Sequence, residues 1–222
     1  MFFDWGTPVR SLSYLIVGAF ITLGLTLAIF FASFFFGTVV GVVRHNKRHL
    51  VLYVLASAFV ELIRNTPALV QIFLIYFGLP QFGILLSPVV AGVIALTINN
   101  SAYISEIVRA GIQAINKGQT EAAQSIGLSR FNIFLSVIYP QALRNIFPAM
   151  TNQFIMIIFG TTLLSTLDVR ELTQRASILN SETFRTMEIF VFVLLMYYGI
   201  TVLCSFVLRW INRRYFPQAN TM

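Results

Sequence analysis

What most constrains this sequence is where its charges are missing. Residues 11–43, 65–105, 145–167 and 189–208 contain no Asp, Glu, Lys or Arg, and a shorter charge-free run covers 49–60. A helix needs about 20 apolar residues to cross a bilayer, so a chain with several such runs has lipid as its main solvent. Composition agrees: 57% of the 222 residues are hydrophobic and 10% charged, with a mean hydropathy of +0.81, whereas about one quarter of a soluble domain is charged. So few charges cannot cover a soluble body of this size. The single Cys204 excludes a disulfide scaffold, and the wealth of Phe, Leu and Ile excludes a disordered chain. The runs are long and continuous, without the short alternating pattern of an outer-membrane β-barrel.

The run 65–105 is too long for one span, and Gly78, Pro80, Gly83 and Pro88 mark a turn that divides it. The expectation is an all-α membrane protein with five transmembrane helices near 12–43, 50–79, 85–109, 141–167 and 187–211. Basic residues gather in alternate connections: Arg44, Lys47 and Arg48 in the first, Arg109, Lys117, Arg130 and Arg144 in the third, and Arg209, Arg213 and Arg214 in the tail. By the positive-inside rule those segments face the cytoplasm, which puts the N-terminus outside and the C-terminus inside. The net charge of +7 therefore reads first as orientation, and nucleic acid is not an expected partner. Met1 to Arg10 holds Asp4 and one Arg in place of a positive n-region, so the first apolar run is expected to be retained as a helix. Residues 1–222 read as one transmembrane domain carrying a cytoplasmic loop near 112–140. Five helices do not easily enclose a solute path alone, so oligomerisation is expected. Gly37 and Gly41, four apart, permit close helix contact either between chains or within one.

The loop carries the strongest local signal. Glu121, Ala122 and Ala123 are good helix formers, Thr120 is a candidate cap, and Gly127 is a candidate stop in the left-handed conformation. The chemistry fits a short docking helix whose small side chains let a partner approach the backbone. It equally fits an interfacial helix lying on the headgroups through Ile126, Leu128 and Phe131.

Here the sequence resembles the membrane subunits of binding-protein-dependent ATP-binding-cassette (ABC) importers, specifically the polar amino acid permease class. Their loop motif is matched by Glu121-Ala122-Ala123, Gly127 and the ending Val137-Ile138-Tyr139-Pro140, which departs from the usual form at Val137 and Tyr139. The segments Arg64 to Gln71 and Ala102 to Ile112 are also similar to the class. The resemblance implies a type I ABC importer permease fold in the bacterial inner membrane. It also implies paired permeases, identical or homologous, a dimer of cytoplasmic ATP-binding subunits docked on Glu121, Ala122, Ala123 and Gly127, and an amino acid-binding protein outside. The chain contains no Gly-x-x-x-x-Gly-Lys-Ser/Thr phosphate loop. It is accordingly expected to be a transport subunit without its own ATPase site or cofactor, with ATP and Mg held by the partner.

Several polar groups fall inside the apolar runs, where they are costly and functional by default. Glu61 and Arg64 are three apart on one helix face. Either they pair with each other near the cytoplasmic interface, or Arg64 presents its fork to a substrate α-carboxylate. Pro67 removes an amide donor and frees a carbonyl, which supports an irregular site. Asn99, Asn100 and Ser101 fall near the midplane and either bind the substrate's charged groups or bridge helices. They point around the helix, so one Asn and Ser101 are the favoured pair. With Thr66 in the Arg64 to Gln71 segment and Gln153 on the fourth helix, these complete the candidate substrate contacts. Members of the class that resemble cationic amino acid permeases often carry acids where this chain has Gln153 and Gly160. Without a buried carboxylate a cationic side chain would be left unpaired, so a neutral or acidic amino acid is the expected substrate.

His45 and His49, four apart, read as interfacial anchors before metal ligands, since no carboxylate or Cys is near in sequence. Glu106 and Arg109 are expected to pair, and Cys204 to be a small buried hydrophobe. The rival class is an ion-coupled secondary transporter or channel subunit; the small span count and lack of an inverted repeat weigh against it. An intramembrane enzyme is opposed by the absence of any catalytic constellation within the spans.

Overall fold

The computed structural model describes residues 5–45 and 49–215, all helix and connection, with no strand among them. A single turn at Gly6–Arg10 precedes α1, Leu12–His45. The second apolar segment forms α2, Leu50–Arg64, and α3, Ala68–Phe82. Then come α4 (Pro88–Gln113), α5 (Lys117–Ser125), α6 (Arg130–Leu167), α7 (Leu172–Thr183) and α8 (Thr186–Tyr215). Among the described residues, α1, α4, α6 and α8 are long and apolar enough to cross a membrane, and α2 with α3 supplies a fifth crossing when the bent pair counts as one broken span. Asp4, Lys47 and Arg48, used above to argue the start and the sidedness, lie outside the described residues.

Two of the expected boundaries are corrected. The helix expected over 50–79 is broken, because Asn65 leaves helical geometry (φ −98°, ψ 10°) and Pro67 is extended (φ −64°, ψ 132°). Proline disfavours helical geometry in the residue before it and has no amide to continue the ladder. The Gln71 side chain secures the new start by donating to the Thr66 hydroxyl at 2.7 Å and to its carbonyl at 3.2 Å. The helix expected to start at 141 begins at Arg130, where the Ser129 hydroxyl accepts from the Asn132 amide at 3.3 Å.

Two wide π turns, Leu74–Gly78 and Phe134–Ile138, come just before Pro80 and Pro140 respectively. A proline ring collides with the carbonyl four residues back, and a wider turn moves that carbonyl aside without ending the helix. At the second site Gln141 Nε2 donates to the Val137 carbonyl at 2.9 Å.

The chain divides into two compact units, each drawing on three stretches of sequence. The first comprises Met1–Phe31, Thr66–Ile98 and Phe154–Ser205. One of its cores gathers Leu25, Ile29, Ile72, Leu96, Ile157 and Leu164, and another gathers Leu15, Leu172, Ala176, Leu179, Ile189 and Val193. Glu171 caps α7 from within, accepting from the amides of Thr173 and Gln174 at 3.0 and 2.8 Å. The second unit comprises Ala32–Asn65, Asn99–Gln153 and Phe206–Met222. There Gly37 and Gly41 let α1 lie directly on α4: a Cβ at Gly37 would stand 2.8 Å from the Ser101 carbonyl, and one at Gly41 would stand 2.6 Å from that of Ser105. Packing within the chain therefore accounts for this glycine pair.

Candidate functional site

The second unit places a stripe of polar residues on α2. Tyr53, Ser57, Glu61 and Arg64 recur at helical spacing, so they share one face. Facing them are Arg44 from the end of α1 and Tyr103 and Glu106 of α4, and together they line an open polar cavity of about 440 Å³.

One wall is a closed ionic network. Glu106 Oε2 accepts from Arg44 Nη1 at 2.7 Å, and its other oxygen is paired with Arg109. Arg44 Nε donates to the Ser57 hydroxyl at 3.4 Å, and Arg109 Nη1 to Gln113 at 2.8 Å. The expected Glu106–Arg109 pair thus forms and recruits a second arginine, leaving the cluster with one excess positive charge. Charges of this kind are retained away from water only when paired and hydrogen-bonded.

The other wall is different. Glu61 and Arg64 do not pair with each other. Arg64 lies over the Tyr103 ring, 5.3 Å from its centre, a cation–π contact that leaves the edge of the guanidinium open. Among the described residues neither Glu61 nor Arg64 has an ion-pair partner.

The other candidate substrate contacts fall elsewhere. Asn99, Asn100 and Ser101 are all buried. Asn100 Oδ1 accepts from Gln153 Nε2 at 2.7 Å, so these two bind each other between α4 and α6, and Ser101 lies at the Gly37 contact. Thr66 belongs to the first unit, where its hydroxyl is taken by Gln71. Spacing could find Arg64 but not Tyr103, whose tie to it is purely tertiary.

The loop helix α5 is real. Its cap is Asn116, whose side chain accepts from the Gly118 amide at 2.9 Å, and not Thr120. It stops at Gly127 in the left-handed conformation (φ +81°), where a side chain would be strained. Glu121, Ala122 and Gly127 are exposed, while Ala123 is buried. Ile126 and Phe131 are 77% and 71% exposed, so these apolar side chains of the loop do not fold back on the chain. Gln119 of α5 accepts from the same Gln141 amide that holds the Val137 carbonyl, which ties the loop helix to the π turn of α6. Among the described residues no three His, Cys, Asp or Glu side chains gather as a metal site.

A chain built mainly of helices long and apolar enough to span a membrane, with a polar cavity walled by an Arg44–Glu106–Arg109 network and a small exposed helix in a loop, has the parts of a membrane transport component. It belongs to the family described as binding-protein-dependent transport system inner membrane component, whose model matches residues 33–217. It is therefore the permease of an ABC importer, working in general with a separate ATPase subunit, a second permease and a substrate-binding protein. The chain is 37% identical over 216 residues to the glutamine transport system permease protein GlnP of Escherichia coli (strain K12), covering 96% of this chain and 98% of that one. A crystal structure of an amino acid ABC transporter with histidines matches it with a TM-score of 0.90 at 37% identity, over 96% of this chain and 100% of that chain. An inward-facing structure of the MetNI methionine ABC transporter shares the fold, with a TM-score of 0.77 at 22% identity over 93% and 98% of the two chains.

Proposed function

We propose that this chain is the multi-pass permease of a bacterial inner-membrane importer for a neutral or acidic polar amino acid, glutamine foremost. In this reading its N-terminus lies outside, and Arg64 takes the substrate carboxylate. The observation that carries the reading is the cavity of Arg44, Glu61, Arg64, Tyr103 and Glu106. Arg64 is held there by an aromatic face, not by an acid, so its hydrogen-bonding edge stays available for a carboxylate. The excess charge of the Arg44–Glu106–Arg109 cluster opposes a cationic side chain. The name of the glutamine permease relative points the same way. Asn99, Asn100, Ser101 and Gln153 contribute by fixing α4 against its neighbours, and Thr66 by fixing the break between α2 and α3.

The energy comes from ATP and Mg on the partner. The exposed Glu121–Gly127 segment seats in a cleft of the ATPase, and its movement passes through Gln119 and Gln141 into α6, switching the path between inward- and outward-facing. The test is to purify the chain with its co-expressed neighbours and titrate ATPase activity with the binding protein and a panel of amino acids. Stimulation by glutamine only when the binding protein is present is the expected result. Failure of any ATPase subunit to co-purify would remove the support for docking on the Glu121–Gly127 segment. Gly127→Asp is expected to abolish the stimulation while the subunit remains folded, because aspartate is strained at φ +81° and adds charge to the docking face. Stimulation at the wild-type level in that variant would remove the loop from the mechanism.

A further inference from the structure

Glu61 is the one carboxylate of the cavity that no arginine neutralises. Glu106 is shared by Arg44 and Arg109, whereas Glu61, one turn before Arg64 on α2, has no ion-pair partner among the described residues. Two opposite charges three residues apart on a helix would ordinarily pair. Here the Tyr103 ring holds the guanidinium, and the carboxylate and guanidinium stand apart on the same wall. A cavity of about 440 Å³ admits a small zwitterion with its water.

We infer that the cavity recognises both head-group charges of an α-amino acid: Arg64 binds the carboxylate, Glu61 the ammonium, and Tyr103 is a positioning residue that keeps the two apart. This rests on the amino acid permease reading and adds the second half of the recognition. The ligand completes the ion pair that the protein withholds from itself, and both charges leave water together with a partner. The site therefore reads the head group common to all amino acids. The side chain faces Tyr53, Ser57 and the Arg44–Glu106 wall, whose excess positive charge disfavours cations and leaves finer selection to other components.

The test is equilibrium binding of radiolabelled L-glutamine to the purified complex without binding protein, with two competitors. 4-Carbamoylbutanoate lacks the ammonium, and 4-aminobutanamide lacks the carboxylate. The wild type is expected to prefer glutamine to each by at least about tenfold, since a site built for a polar group rejects the analogue that leaves it unpaired. Glu61→Gln is expected to abolish discrimination against 4-carbamoylbutanoate while discrimination against 4-aminobutanamide persists; Arg64→Gln should do the reverse. Tyr103→Leu should weaken glutamine binding, and Tyr103→Phe should retain it. An unchanged preference in Glu61→Gln overturns the inference, as does absence of glutamine binding by the wild type. If Glu61→Gln instead separates the permeases during purification, Glu61 is an assembly contact and the inference also falls. In each case binding-protein-dependent stimulation of the wild-type ATPase by glutamine still stands or fails independently, so the broader reading is judged by its own measurement.

Discussion

Glu171 has no exposed surface, yet its carboxylate is fully engaged. Oε1 accepts from the Gln174 amide, and Oε2 accepts from the Thr173 amide and from the hydroxyls of Tyr197 at 2.9 Å and Thr22 at 3.4 Å. Burial pushes its pKa above the ordinary 4.5, and these hydrogen bonds only partly offset that shift. A carboxyl whose folded pKa is raised contributes stability that is full below its unfolded pKa and is lost as pH rises through the folded one. The melting temperature of wild type minus that of Glu171→Gln should therefore fall as pH is raised from about 4 toward neutrality. A difference that stays flat or grows would show that the hydrogen bonds outweigh burial. At this scale the sequence was a partial guide. It identified Glu61 and Arg64 as sharing a face, and Gly127 as a left-handed stop, because both follow from local geometry. It could not show that Glu61 and Arg64 stay apart, since Tyr103 lies on another helix, and it did not single out Glu171, whose partners come from distant stretches of sequence. Cys204, expected to be buried, is only half-buried.

Helix α6 shows what a charge-based reading of elements misses. Arg130 marked the loop as continuing, yet Ser129 starts a helix there, and Pro140 is accommodated in it by the wide turn before it. Pro80 was visible as punctuation and Pro140 as the end of a motif, but whether a proline ends a helix or widens it depends on packing that the pattern does not contain. Gln141 is the hinge of this arrangement, since one amide nitrogen serves both Gln119 of α5 and the Val137 carbonyl of the turn. Gln141→Leu removes both bonds, each worth about 1 kcal/mol. Stimulation of the ATPase by loaded binding protein is expected to drop roughly 5- to 10-fold, with the ATPase subunit still co-purifying. Undiminished stimulation would mean that docking reaches α6 by another route.

Across the whole molecule, burial is distributed very unevenly. Ile157 and Leu164 of α6 are completely enclosed, while Leu194, Leu203 and Phe206 of α8 are each more than 60% exposed. In lipid an exposed leucine is already in an apolar medium, so folding gains little from it. For the isolated chain in detergent, Ile157→Ala should cost about 2–5 kcal/mol and Leu203→Ala less than about 0.5 kcal/mol, read from thermal unfolding. Comparable losses at the two positions would show that the Leu203 side chain, and not only the Ile189 and Val193 end of α8, packs against the rest of the chain. The charge-free runs made the spanning helices legible because a bilayer imposes length directly on sequence. The polar cavity was not legible as a whole, because its walls come from three helices that meet only when folded.

The wide turn at Phe134–Ile138 also works as an angular setting. Each residue added to or removed from a helix rotates everything beyond it by about 100°. The turn holds more residues than an α turn, so it fixes the direction in which Gln153 leaves α6, and Gln153 must point at Asn100 for their 2.7 Å bond to form. The number of residues between Ser129 and Gln153 is thus as much a part of the design as their identity. Removing one residue from the regular turns between Pro140 and Gln153 would turn Gln153 away from Asn100 while the helix keeps its remaining side chains.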